Sequence, residues 1–130
     1  MAYNSSTDYG KKLSTKQIQS VMRQLLSAIA HLHSLLICHK DIKPENVLVR
    51  ERSADDVEIR LIDFNISQKA QDSSFNMISK TGTELFMAPE MISKGNFNEK
   101  IDVWGAGCIL CYMLIGKLPM NGSKKQMGDD

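Results

Sequence analysis

Eight apolar residues, Ile18, Val21, Met22, Leu25, Leu26, Ile29, Leu32 and Leu36, recur at i, i+3, i+4 and i+7 spacing. That period is the mark of an amphipathic helix, whose apolar stripe has to be packed against a second element. Ser14, with Gln17 three residues later, supplies a capping-box start for it. A second apolar run, Val103 to Ile115 (VWGAGCILCYMLI), is too short to span a bilayer. It reads as a helix that resumes at about Asp102 and is buried on every side in a protein core. Gly116 is its expected C-cap, with Pro119 just beyond.

Between the two helices the pattern changes. Cys38 to Asn46 is polar and holds Pro44, which predicts a loop. Val47-Leu48-Val49 is a short strand, and Val57, Ile59 and Leu61 alternate with polar residues in a second strand ending near Ile62. The Ser53-Ala54-Asp55-Asp56 link joins them as a small hairpin. Residues 63–98 keep no sustained period and are rich in Ser, Thr, Asn and Gly. A stretch of that length is a functional loop or a disordered one. The polar tail NGSKKQMGDD is expected to fray.

Composition narrows the function classes. The 130 residues are a one-domain length, 42% hydrophobic, 24% charged and 6% aromatic, as in an ordinary globular protein. Sixteen Lys and Arg against fifteen Asp and Glu leave a formal charge of +1, no electrostatic footprint for nucleic acid or an anionic membrane. The N-terminus MAYNSSTDYGKK has no apolar signal region. Three cysteines, Cys38, Cys108 and Cys111, lack disulfide-scaffold spacing and fit a reducing compartment. Cys108-x-x-Cys111, without a second pair or a nearby His, reads as buried helical cysteines rather than a redox or zinc motif. The expected location is the cytoplasm, with the nucleus left open, and there the N-x-[ST] triplets at Asn4, Asn65 and Asn121 are chance matches.

The residues that carry chemistry lie in the loop His39-Lys40-Asp41-Ile42-Lys43-Pro44-Glu45-Asn46. Asp41 offers a base, Lys43 a cation and Asn46 a metal-binding amide, a set suited to phosphoryl transfer, which needs positioning and charge neutralisation. Asp63, seventeen residues after Asn46, follows an apolar strand and adds a carboxylate. Asn46 and Asp63 together form an oxygen-donor pair of the kind that holds Mg²⁺ against nucleotide phosphates. A turn-rich solvated loop would also favour Asp, Asn and Pro.

HKDIKPEN resembles the catalytic loop of eukaryotic protein kinases, H-R-D-L-x-x-x-N. Asp63-Phe64-Asn65 resembles D-F-G, and Ala88-Pro89-Glu90 is A-P-E in full. Gly82-Thr83 and Phe86-Met87 match the segment before A-P-E in the serine/threonine branch, and Asp102-Val103-Trp104 with Gly107 resembles the start of the family's central buried helix. The resemblance implies a mainly α chain with a small β-hairpin, a partial large lobe of the kinase α+β fold. Residues 1–130 would run from just after the inter-lobe hinge through the central helix. No G-x-G-x-x-G and no Lys in a V-A-I-K context occur in these residues. The small lobe and the last helices, with the Arg that pairs the A-P-E Glu, are expected to be missing.

The resemblance also implies roles. ATP and Mg²⁺ are the implied cofactors, and Ser/Thr-bearing proteins the implied substrates. Asp41 would orient the substrate hydroxyl and Lys43 would neutralise the transferring phosphoryl group. Lys43, Glu45, Asn46, Leu48 and Asp63 would contact the nucleotide, with Asn46 and Asp63 as metal ligands and Leu48 as the floor under adenine. Thr83 would support Lys43 and Asp41. His39 and Phe64 would belong to a stacked column, a structural role for the histidine. Ser79 falls at the usual site of an upstream activating kinase, with Ser73, Ser74 and Thr81 as competitors.

Two positions depart from the pattern. Lys40 stands where the family has Arg, which loses the bidentate fork that grips a phosphorylated loop. Asn65 stands where it has Gly, and Asn is one of the few other residues expected to enter the left-handed region. Neither removes a catalytic group. The rival readings are a non-catalytic pseudokinase or scaffold, and a truncated product without a stable fold.

Overall fold

Ser14 is extended and its Oγ accepts the N–H of Gln17 at 3.1 Å, while Gln17 Oε1 accepts the N–H of Ser14 at 3.0 Å. The capping box therefore starts helix α1 (Thr15–Ser34) as the sequence predicts. The computed structural model describes residues 4–5, 13–69, 86–93 and 96–116. Leu35 caps the end of α1, and Leu36 turns the chain through the left-handed region at φ 59°.

The expected hairpin forms from β3 (Val47–Glu51) and β4 (Val57–Leu61), with Val49 opposite Ile59. Strand β1 (Asn4–Ser5) pairs antiparallel with β3, giving the order β1-β3-β4. Gln24 of α1 covers part of the outer edge of β4: its Nε2 donates to Val57 O at 2.7 Å and its Oε1 accepts from Ile59 N at 3.1 Å. An amide side chain thus does for the edge what a neighbouring strand would do. Ser14 Oγ and Gln17 Nε2 donate to Ala54 O and Ser53 O, fastening the hairpin turn to the start of α1.

Val21, Leu25 and Ile29 of α1 meet Val47, Val49 and Val57 of the hairpin and Ala106, Ile109 and Met113 of helix α3 (Ile101–Ile115) in one core. Gly116 ends α3 at φ 68°, as its position predicts. Within 63–98, the described residues include two short elements that the sequence does not announce. Strand β5 (Gln68–Lys69) pairs with β2 (Ile37–Cys38), and Pro89–Ile92 form the short helix α2. These elements are too short to show a period, so only pairing reveals them. A second core joins Met87, Ala88, Met91, Phe97 and Ile101 to Cys38.

Two expectations fail. The α1 stripe is narrower than its period implies: Leu26 is 44% exposed and Leu36 lies beyond the end of the helix. Among the described residues α3 is not buried on every side: Val103, Leu114 and Ile115 are at least half exposed. A groove of about 740 Å³ runs along it past Trp104, Cys108 and Cys111. Apolar composition reported the helix's preference, and composition alone does not fix which neighbours cover it.

Candidate active site

The loop between β2 and β3 takes its shape from a carboxylate far along the chain. Asp102, in the first turn of α3, is 1% exposed. Its Oδ2 accepts the N–H of His39 and its Oδ1 the N–H of Lys40, both at 2.9 Å. His33 Nε2 donates to Oδ2 at 2.8 Å. A buried carboxylate with three donors is fully paired, and the two backbone bonds hold Lys40 at φ 74°, a conformation costly for a side chain with a Cβ. Gly105, one turn on, brings α3 against the loop: a Cβ there would lie 2.7 Å from both Ile42 Cβ and Ile42 O.

On this support three predicted residues come together. Asn46, in the 3₁₀ turn Pro44–Asn46, donates from Nδ2 to Asp41 O at 2.8 Å and to Asp41 Oδ2 at 3.2 Å. Lys43 Nζ lies 3.6 Å from the same Oδ2. Asp41 and Lys43 keep partial access to solvent, whereas Asn46 is buried. The Nδ2 contacts leave Asn46 Oδ1 directed away from Asp41. Glu45 is exposed on the same turn, and Leu48 is half-buried on the face of β3 opposite the buried Val47 and Val49.

Asp63 reaches this cluster through the backbone. Ile62 N donates to Asn46 O at 2.9 Å, which sets Asp63 one residue from the turn. Its carboxylate is exposed and its Oδ1 accepts from Asn65 N at 3.3 Å. The left-handed residue of the Asp-Phe-Asn stretch is Asp63, at φ 62°, and Asn65 has no positive φ. Asp also tolerates that region, because a short polar side chain can bond locally.

His39 is fully buried, and both ring nitrogens are engaged. Nδ1 accepts the N–H of Asp41 at 3.1 Å and Nε2 donates to Ile62 O at 2.9 Å. Those contacts assign the tautomer and occupy both sites for proton transfer. The ring meets Phe64 edge to face at 4.8 Å between centroids, in keeping with a packed structural role. Lys40 is buried as well, a point that sequence did not reveal. Ser73, Ser74, Ser79, Thr81 and Thr83 lie outside the described residues.

Sequence reasoning named Asp102 only as part of a helix start and passed over His33. A usable signal existed for the first: a lone acid heading the apolar run IDVWGAGCILCYMLI must be paired once that helix is buried.

His33, Cys38 and Asp102 place ligand-type atoms within 4.8 Å of one another. Asp102 Oδ2 is already taken by two donors, and burial beside that carboxylate pushes the Cys38 thiol far up from its usual range. The cluster is a hydrogen-bonded joint rather than a metal centre.

The protein kinase domain model matches residues 2–129. The chain is 37% identical over 105 residues to "Calcium-dependent protein kinase 4" of Plasmodium falciparum, covering 81% of this chain and 20% of that protein. It is 39% identical over 121 residues to "Probable serine/threonine-protein kinase glkA" of Dictyostelium discoideum, covering 91% and 24%. It is 35% identical over 113 residues to "Stress-activated protein kinase JNK" of Suberites domuncula, covering 87% and 30%. The chain therefore spans less than a third of the length of these relatives. With the match running almost end to end over the loop just described, the chain belongs to the protein kinase family.

Proposed function

We propose that this chain is a large-lobe segment of a serine/threonine protein kinase, and that the protein containing it transfers the γ-phosphate of ATP to Ser or Thr hydroxyls of protein substrates. The observation that carries this reading is the meeting of Asp41, Lys43 and Asn46 on one buried-backed turn. Asp41 Oδ2 is poised to accept or orient a hydroxyl proton, with Lys43 beside it to offset charge on the transferring group. Asn46 Oδ1 and the Asp63 carboxylate are hard oxygen donors at neighbouring backbone positions, a set that suits Mg²⁺. Bound Mg·ATP supplies the phosphoryl group and the charge that organises it. Leu48 forms part of the adenine floor and Glu45 borders the nucleotide. The free cysteines accord with action in the cytoplasm. An upstream kinase acting near Ser79 is the proposed activator.

The test uses the longer protein containing this chain. Asp41→Asn and Asp63→Asn each abolish transfer to a protein substrate, and only Asp63→Asn weakens Mg·ATP binding. Equal nucleotide affinity in the two variants refutes the separate roles. A longer protein that binds partners yet shows no Mg²⁺-dependent transfer is a scaffold instead.

A further inference from the structure

Lys40 stands where the family resemblance implies an arginine that grips phosphate, but its surroundings give it another partner. The residue is 8% exposed, and its Nζ donates to Gln68 Oε1 at 3.2 Å. Gln68 lies opposite Cys38 in the β2–β5 ladder, and Ser67 Oγ donates to His39 O at 3.1 Å. Consecutive residues of the segment leaving Asp63 are thus fastened to consecutive residues of the catalytic loop. The cavity beside Lys40, walled by Phe86, Met87, Met91 and Ile101 and bordered by Asp41 and Asp102, has a volume of about 10 Å³. That holds one water at most and has no room for a phosphate group. An ammonium buried this far needs an acceptor within reach, and the Gln68 carbonyl oxygen is one.

We propose that Lys40 is a positioning residue, a latch that holds strand β5 on the catalytic loop through Gln68, so that this junction closes without a phosphorylated residue. Its regulatory meaning rests on the kinase reading, whereas the junction itself does not. Burial lowers the Lys40 pKa from its usual value, the direction in which desolvation disfavours the ammonium, so the charged form depends on the acceptor that Gln68 supplies.

The experiment is amide hydrogen exchange on the full chain, comparing the wild type with Lys40→Met, Gln68→Leu and the double variant, with and without excess inorganic phosphate. Each single variant speeds exchange at residues 37–38 and 68–69 by roughly tenfold, the scale of one buried charge-assisted hydrogen bond, and leaves α1 unchanged. The double variant is no worse than either single one, because both remove the same bond. Phosphate leaves wild-type exchange unaltered. Unchanged protection in the single variants, additive losses, or phosphate-dependent protection that disappears in Lys40→Met would each overturn the latch. If Lys40→Met does not fold, Gln68→Leu and the phosphate arm still decide. None of these readouts depends on transfer activity, so a failed kinase assay and a failed latch are distinguishable.

Discussion

His33 Nε2 stands 2.8 Å from Asp102 Oδ2, so the last turn of α1 and the first turn of α3 meet over a carboxylate that also holds the catalytic loop. Asp102→Asn keeps the shape but replaces one acceptor oxygen with an N–H₂ group facing other donors. We expect a loss of about 2–4 kcal/mol, the cost of an unpaired buried group in a charged network. Urea unfolding measures it, and faster exchange at the His39 and Lys40 amides locates it.

Gly105 and Gly107 lie two residues apart in α3 and should respond oppositely to alanine. A Cβ at Gly105 collides with Ile42, whereas one at Gly107 meets nothing within 4 Å. Gly105→Ala should cost about 1–3 kcal/mol through overpacking. Gly107→Ala should stabilise by about 0.5–1 kcal/mol through helix propensity. Thermal unfolding of the two variants provides the comparison.

What could be read beforehand followed from repetition. The α1 capping box, the alternation in β4 and the Gly116 cap are local patterns and appear where they were expected, whereas the α1 stripe is borne out only in part, at Ile18, Val21, Leu25 and Ile29. The Asp41, Lys43 and Asn46 cluster was legible because all three share one short loop. Its supports were not. Asp102 acts across more than sixty residues, and the β2–β5 ladder has two residues a side, too few to establish a period. Asn65 was noted as a residue able to enter the left-handed region, and the residue that does so is Asp63, a choice that residue type alone does not make.

Asn65→Gly therefore relieves no strain. Stability should change by less than about 1 kcal/mol, and transfer by the longer protein should stay within about tenfold, or roughly 1.4 kcal/mol. Asp63→Gly should separate two properties: the fold gains up to about 1 kcal/mol by removing a Cβ from φ 62°, while Mg·ATP affinity falls. Unfolding midpoints and nucleotide titrations measure the two effects.

Cysteine reactivity should follow burial. The Cys108 thiol is pushed up from 9.0 to about 11, chiefly by burial and then by neighbouring Cys111. At pH 8 its thiolate is then roughly one part in a thousand. Iodoacetamide at that pH should modify half-buried Cys111 before Cys108 and buried Cys38. Because the folded-state pKa is raised, this contribution to stability is intact below pH 9 and is lost as pH rises toward 11. Mass spectrometry of timed aliquots gives the order of labelling.

The carboxylate beneath the catalytic loop also sets an order of events during synthesis. The bonds from Gln24 to the hairpin span 33 and 35 residues, whereas those from Asp102 to His39 and Lys40 span 63 and 62. On a ribosome, α1 and the hairpin emerge together and can pair while residue 102 is still being made. The catalytic loop acquires its bonds to Asp102 only after α3 has left the exit tunnel. A nascent chain stalled before that point should protect the β3–β4 amides yet leave those of His39 and Lys40 open to exchange.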